Sequence, residues 1–142
     1  HTSSGKTNME IIIRFLQENP VQFLATIGMD GKPKVRPFKF RLEEDNRLWF
    51  CTSNRKDVYN ELKNHPHVEL SVASPQETWI RLAGIAVFEN NLAVKQKMID
   101  SDESLRAQYR TADNPVFEVF YIDRAVATIA AFTGLPPKKF FL

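Results

Sequence analysis

The segment LWFCTSNRKDVYNELKNHP, residues 48–66, combines patterns that indicate a strand running into a helix. An apolar run at 48–51 is followed by small polar residues at 52–54, a basic pair (Arg55 and Lys56) and apolar residues at helical spacing. Backbone N–H groups are free at the start of a helix, and hydroxyls with a lysine beside them suit a phosphate group. The alternative is an ordinary helix cap with solvated basic residues.

The sequence on both sides of this segment predicts a protein built mainly of antiparallel strands. An amphipathic helix begins near Met9 and ends before Pro20, and Asp-Gly at 30–31 indicates a hairpin turn. A helix, or two short ones, is expected from Leu92 to Tyr109. Strand-like runs are predicted at 21–28, 32–42, 47–52, 65–74, 77–89, 116–123 and 125–133, before a short tail, KKFFL. This order predicts a mainly β fold, a small antiparallel barrel with helices at its ends or on one side.

Length and composition limit the classes of function. The chain has 142 residues, which suits one domain, and we interpret residues 1–8 as a tag remnant or disordered N-terminus before a single domain at 9–142. A net charge of +2 excludes a strong overall field for nucleic acid or membranes. The single cysteine, Cys51, and the lack of a signal-peptide pattern or a long apolar run predict a cytoplasmic protein. No metal site is predicted.

Two strands contain residues that break the expected alternation. Arg36 shares a strand face with Phe38 and other large apolar residues, so it either ends the strand in water or faces a bound anion. Pro37 cannot donate a ladder hydrogen bond and predicts an edge strand or a break in pairing. In the run WIRLAGIAVF both faces are apolar, and Gly84 predicts a bulge. The second apolar face requires a cover, either a symmetric dimer or the helices of the same chain.

Four segments in this order resemble one protein family. They are FLATIGMDGKPKVRPFKF, LWFCTSNRKDVYNELKNHPHVELSV, WIRLAGIAVF and FEVFYIDRAVATIAAFTG. Together they are similar to the pyridoxamine 5′-phosphate oxidase-like FMN-binding split-barrel proteins, in particular the small bacterial branch that includes 5-nitroimidazole-resistance proteins. The resemblance implies an antiparallel split β-barrel and a homodimer with FMN at the subunit interface.

The resemblance also implies which residues contact FMN. The segment RPF and the lysine after it match the part that runs along the flavin, TSNRK matches the phosphate-binding part, and one position in the later strand matches a further flavin contact. The cofactor-binding residues expected on this basis are Arg36, Pro37, Phe38, Lys39, Thr52, Ser53, Asn54, Lys56 and Trp79, with Arg55 as a weaker candidate. The C-terminal Arg and His pattern of true pyridoxamine phosphate oxidases is missing, so oxidation of vitamin B6 is not expected.

Three functions are compatible with the sequence. The first is an FMN-dependent oxidoreductase that passes electrons from a reduced nicotinamide or another donor to a small acceptor, such as a nitroaromatic compound or a quinone, with no catalytic side chain. The second is a flavin-binding protein without turnover, for storage, relay or sensing. The third is a nucleic-acid-binding barrel that uses the basic residues between 32 and 41, and the near-neutral net charge ranks it last.

Overall fold

The computed structural model describes residues 2–142, with side chains from residue 7 onward. It contains four helices and eight strands within that range. In chain order they are α1 (Thr2–Glu18), β1 (Gln22–Ile27), β2 (Pro33–Phe38), β3 (Leu42–Glu44), β4 (Arg47–Ser53), α2 (Asp57–Asn64), β5 (His67–Ala73), β6 (Thr78–Phe88), α3 (Leu92–Ser101), α4 (Glu103–Tyr109), β7 (Phe117–Ala131) and β8 (Lys138–Phe141).

The eight strands form one antiparallel sheet in the order β2-β1-β5-β6-β7-β4-β3, and β8 pairs with β7 beside this path. Strand β7 is 15 residues long and connects the two halves, because β4 pairs with its first part and β8 with its last part. The described strands do not close into a continuous barrel, since β2 and β3 lie at opposite ends of the order. The predicted mainly β, antiparallel split-barrel fold with helices is confirmed.

Three strand assignments differ from the sequence prediction, and one of them is the tail KKFFL, in which Lys138–Phe141 form β8. The run 32–42, expected as one strand, is divided into β2 and β3. Pro37 cannot continue a ladder, and beyond it the N–H of Phe40 donates to Oε1 of the buried Gln22 while the N–H of Arg41 donates to the carbonyl of Trp49. Gln22 therefore holds the segment after β2 at the point where this segment stops pairing with β1 and begins to contact β4. The predicted edge position of the strand that contains Pro37 is confirmed, because β2 pairs with β1 alone among the described strands.

The runs 116–123 and 125–133, predicted as two strands, form the single strand β7. The register with β6 shifts between Ala83 and Ile85, which confirms the bulge expected at Gly84. A Cβ at position 84 would lie 2.5 Å from Cγ2 of Ile122 and 2.6 Å from the carbonyl of Asp123. Glycine at this position lets β7 bend without ending.

Within residues 7–142, the buried apolar side chains form two clusters on opposite sides of the β4–β7 pair. On one side, α1 and α2 cover the inner face of the sheet, where Phe50 and Phe120 stack with their ring centroids 5.6 Å apart. On the other side, α3 and α4 cover Trp49 and Phe117. The chain's own helices therefore cover the second face of β4 and of the first part of β7. The outer face of β1, β5 and β6 has no such cover within residues 7–142.

The predicted N-terminal amphipathic helix is present as α1, and Met9, Ile12 and Leu16 are buried in the first cluster. It begins at Thr2, before the apolar spacing starts. The interpretation of residues 1–8 as a tag remnant stays a prediction. Among the described helices, none has the length and apolar character needed to cross a bilayer.

Candidate functional site

A groove of about 570 Å³ lies between the edge strand β2 and the start of α2. It brings together two of the predicted site residues, Arg36 and Lys56, which are 20 positions apart in the sequence. The residues that line it are Pro33, Lys34, Val35, Arg36, Lys56, Asp57, Val58 and Glu61. The groove therefore combines an apolar strand edge with both signs of charge.

Arg36 is held by a hydrogen-bond network at the side of this groove. Its Nη2 donates to Oε1 of Glu61 at 2.6 Å, and its Nη1 donates to Oγ1 of Thr26 at 2.7 Å and to the carbonyl of Leu24 at 3.2 Å. The Thr26 hydroxyl in turn donates to the same Glu61 oxygen at 2.7 Å. The sequence predicted either solvent or a bound anion for Arg36, and the structure adds a carboxylate of the same chain as its partner.

The start of α2 offers backbone donors without a side-chain cap. Lys56 is the N-cap residue, its side chain is exposed, and it makes no capping hydrogen bond. Ser53 is buried and its hydroxyl accepts from the N–H of Arg55 at 3.2 Å, one turn before the helix. The ordinary-cap interpretation required one of the hydroxyls at 52 and 53 to cap α2, and neither of them does. A phosphate near Lys56 would meet both the helix dipole and an ammonium.

Thr52 carries a buried hydroxyl that lacks a partner. The residue is 3% exposed, and its Oγ1 makes no hydrogen bond within residues 7–142. An unpaired buried hydroxyl has an energetic cost that a bound acceptor or donor would remove. The atom is enclosed by the protein, however, and Thr52 is not among the residues that line the groove.

Asn54 has a structural role in this segment. Its Nδ2 donates to the carbonyl of Pro115 at 2.8 Å and to Oε2 of Glu118 at 2.9 Å, while its N–H donates to the carbonyl of Val116. These bonds tie the end of β4 to the start of β7. The amide donors of Asn54 are occupied by the protein, so this side chain positions the segment.

The other residues expected along the flavin occupy different surroundings. The ring of Phe38 packs in the core, 6.4 Å from the ring centroid of Phe50 and 6.0 Å from that of Phe120. Its ring therefore contributes to packing, and its backbone is the part that faces the strand edge. Pro37 is exposed on β2, and Lys39 is exposed just after the strand ends.

Trp79 is not part of the groove of its own chain. It lies on β6, three strands from β2 in the sheet order, which corresponds to about 14 Å at the usual strand spacing of about 4.8 Å. The indole is half-buried, and the guanidinium of Arg81 lies 5.6 Å from its ring centroid. The same outer face carries a row of paired residues that crosses six strands, Val35, Ala25, Glu69, Ala83, Val126 and Phe141.

Sequence reasoning missed Glu61 and Thr26. Glu61 is 6% exposed and lies three residues after the buried Val58, so helical spacing places it on the inner side of α2. Thr26 alternates in phase with Leu24 on β1 and is 4% exposed. An acid at an apolar helical position, together with an arginine at an apolar strand position, was the signal that could have linked them.

The remaining reactive groups do not suggest a second chemistry. Burial raises the pKa of the Cys51 thiol, which disfavours the nucleophilic thiolate. Within the described residues, no group of three histidine, cysteine or acidic side chains could hold a metal ion.

Comparisons with known proteins agree with the fold. Residues 10–129 match the family model described as pyridoxamine 5′-phosphate oxidase. A NimC/NimA family protein from Clostridium acetobutylicum is similar at 30% identity and a TM-score of 0.85, covering 95% of this chain and 94% of that one. General stress protein 26 from Bacillus anthracis (22% identity, TM-score 0.74, 94% and 98% covered) shares the fold.

A pyridoxamine 5′-phosphate oxidase-related, FMN-binding protein from Nostoc punctiforme also shares the fold, at 19% identity and a TM-score of 0.69, with 92% of this chain and 87% of that chain covered. A search of curated protein sequences returns no match. The predicted resemblance is confirmed by a match over most of the length and by a structure 30% identical to it. The chain belongs to the pyridoxamine 5′-phosphate oxidase family.

Proposed function

We propose that this protein binds FMN in the groove between β2 and α2 and acts as an FMN-dependent oxidoreductase. The observation that carries the proposal is that the uncapped start of α2 and the exposed Lys56 both lie at the groove. The unpartnered hydroxyl of Thr52 belongs to the same segment but does not line the groove. These features suit a phosphate, and the name of the Nostoc punctiforme relative includes FMN binding. Arg36 lines the same groove and would meet the ring system.

In this proposal FMN supplies the redox chemistry and the residues of the groove supply the binding. FMN, when bound, supplies the electron transfer from a reduced nicotinamide or another donor to a small acceptor, such as a nitroaromatic compound or a quinone. Lys56 and the start of α2 would bind the phosphate, and Asn54 would hold that segment in place through Glu118. No side chain is assigned a proton-transfer step, so the protein's contribution is binding and orientation.

The uncovered outer face of β1, β5 and β6 supports a homodimer with FMN between the subunits. The row from Val35 to Phe141 is apolar except for Glu69, and Phe23 beside it is 48% exposed. A second copy on this face would cover the apolar surface and bring Trp79 of one chain towards the groove of the other. Light scattering should give twice the 16.4 kDa of one chain. Phe23→Glu should give monomers that bind FMN weakly, whereas Leu92→Glu, on an exposed position of α3, should not.

The experiment that tests FMN binding begins with apoprotein. Titration with FMN should quench flavin fluorescence to a stoichiometry of one FMN per chain and give a bound flavin spectrum in the visible range. Anaerobic mixing of the holoprotein with reduced nicotinamides should then bleach that spectrum, and a nitroaromatic acceptor should restore it. An apoprotein that leaves FMN fluorescence unchanged contradicts the proposal as a whole.

The second candidate is a flavin-binding protein without turnover. It shares every binding feature with the first, so only the redox part of the experiment separates them. Holoprotein that binds FMN but is reduced by neither nicotinamide would favour storage, relay or sensing. The single cysteine of the sequence, the half-buried Cys51, supports a cytoplasmic location for either function.

The nucleic-acid candidate is not retained, because most of its basic residues are already paired. Lys34 pairs with Asp30 at 3.1 Å, and Arg36 and Arg41 pair with carboxylates at 2.6 Å and 2.7 Å. Three of the five cations between 32 and 41 are thereby neutralised, which removes most of the electrostatic basis for backbone binding.

A further inference from the structure

The Arg36 guanidinium has only part of its hydrogen-bonding capacity committed. Both hydrogens of Nη1 are directed to Thr26 and Leu24, and one hydrogen of Nη2 is directed to Glu61. A guanidinium carries five N–H donors. The Nε hydrogen and the second Nη2 hydrogen have no acceptor within residues 7–142, so two donors of this otherwise fixed side chain are available to a ligand.

The positive charge of Arg36 is largely compensated by Glu61, although two of its N–H donors have no acceptor in the described part of the chain. The Glu61 side chain is 7% exposed and that of Arg36 is 23% exposed, so water screens this pair weakly. Lys34, also in the groove, pairs with Asp30. Among the described residues that line the groove, Lys56 is the cation without a carboxylate partner. A phosphate in the groove would therefore be attracted mainly by Lys56.

We propose that Glu61 is a positioning residue that fixes Arg36 and cancels its charge, so that Arg36 meets the flavin ring as an oriented, nearly neutral donor pair. This inference rests on the proposed binding of FMN. The carbonyl and ring-nitrogen acceptors of a flavin suit two neighbouring N–H donors, whereas a phosphate prefers an unpaired guanidinium. Thr26 supplies the second anchor, because its hydroxyl contacts both members of the pair.

One consequence concerns the redox balance of the bound flavin. An unpaired positive charge beside the ring favours the electron-rich reduced form, and the carboxylate of Glu61 removes that preference. Glu61→Gln keeps an acceptor for Arg36 but deletes the negative charge. The ratio of affinities for reduced and oxidised flavin should therefore rise about tenfold, which corresponds to about 30 mV for a two-electron couple.

The experiment compares Glu61→Gln with Asp57→Asn, which removes the same charge from the same groove but contacts no arginine in the described residues. For each folded variant, FMN and riboflavin affinities and the midpoint potential of the bound flavin are measured. Glu61→Gln should raise the midpoint potential and, because it frees the charge of Arg36 in the groove, should strengthen binding of FMN more than binding of riboflavin. Asp57→Asn should strengthen binding of FMN but not of riboflavin, because Asp57 repels only the phosphate. It should leave the midpoint potential unchanged.

Arg36→Gln provides a second test, which can be made even if the Glu61→Gln protein does not fold. A ring contact predicts about tenfold weaker binding of both FMN and riboflavin. A loss confined to FMN would show that Arg36 binds the phosphate and would overturn the inference, as would a Glu61→Gln protein with an unchanged potential. A wild-type protein that binds neither flavin would instead contradict the proposed function, so the two failures are distinguishable.

Discussion

The side-chain amide of Asn54 donates to Oε2 of Glu118 at 2.9 Å, which joins the end of β4 to the beginning of β7 next to the proposed phosphate site. Replacing Asn54 by Ala would delete this charge-assisted bond and the bond to the Pro115 carbonyl. We expect the free energy of unfolding in urea to fall by about 1.5–3 kcal/mol. FMN and riboflavin binding should weaken together, since the whole segment loses its position.

Asn60→Ala is the control for this change. Asn60 is exposed on α2, and alanine has the higher helix propensity, so the same substitution there should leave stability equal or slightly increased. If Asn54→Ala is as stable as the control and loses FMN binding selectively, the amide contacts the phosphate and its bond to Glu118 is secondary.

Lys56 is expected to contribute charge to the phosphate and little to the fold. Lys56→Ala should weaken FMN binding about tenfold or more, because one charge-assisted contact contributes about 1.5–3 kcal/mol. Riboflavin lacks the phosphate and should bind equally to both proteins. Flavin fluorescence titrations of the apo forms measure this, with Lys63→Ala at the other end of α2 as the matched control. Equal FMN affinities in wild type and Lys56→Ala would contradict the phosphate assignment.

Two buried threonines should respond in opposite directions to the same substitution. Thr52→Val removes an unpartnered hydroxyl, so the apoprotein should become about 1 kcal/mol more stable while FMN binding weakens. Thr26→Val removes a hydroxyl that bonds both Arg36 and Glu61, so the apoprotein should become less stable. Thermal or urea unfolding of the two variants tests the contrast, and a loss of stability in Thr52→Val would show that its hydroxyl has a partner in solution.

Asp102 should contribute to stability above pH 4. Hydrogen bonds from Ser104, with the Arg41 guanidinium at 2.7 Å, lower the pKa of Asp102 from 3.8 to about 2. The unfolded chain therefore binds more protons between pH 4 and pH 2, so the contribution is present above pH 4 and is lost as the pH falls towards 2. Asp102→Asn should be less stable at pH 7 and should show a shallower loss of stability on acidification.

The control for this pH profile is Asp100→Asn, which removes the same charge from an exposed carboxylate that accepts from Gln96. Its pH profile is the reference with which the Asp102→Asn profile is compared. Denaturant unfolding at several pH values between 2 and 7 provides the measurement. Parallel curves for Asp102→Asn and wild type would show that this carboxylate has no preferential interaction in the folded state.

Much of the fold could be predicted from alternation and turn residues, because these patterns act over short distances. The Asp-Gly turn, the strand with Pro37 and the bulge at Gly84 all follow from backbone geometry at one position. The continuity of β7 could not be predicted in the same way. It depends on the close approach of Gly84 to Ile122, which are 38 positions apart in the chain.

The candidate site could be predicted only where its residues are neighbours in the sequence. The 52–56 segment is local, and its residues indicated a phosphate from their types and order. The pairing of Arg36 with Glu61 depends on how β2 lies against α2, and single-sequence patterns do not report such contacts. The separation of Trp79 from the groove also arises from strand order rather than from spacing along the chain.

The two prolines of β2 have a consequence for how the molecule avoids unwanted association. An edge strand normally presents a row of backbone donors and acceptors on which a strand of another chain can add. Pro33 and Pro37 lack two of these donors, and β2 pairs with β1 alone among the described strands. Strand addition at this edge is therefore weak. Replacing both prolines with valine would expose a continuous template, and the protein would become prone to polymerise edge to edge during folding.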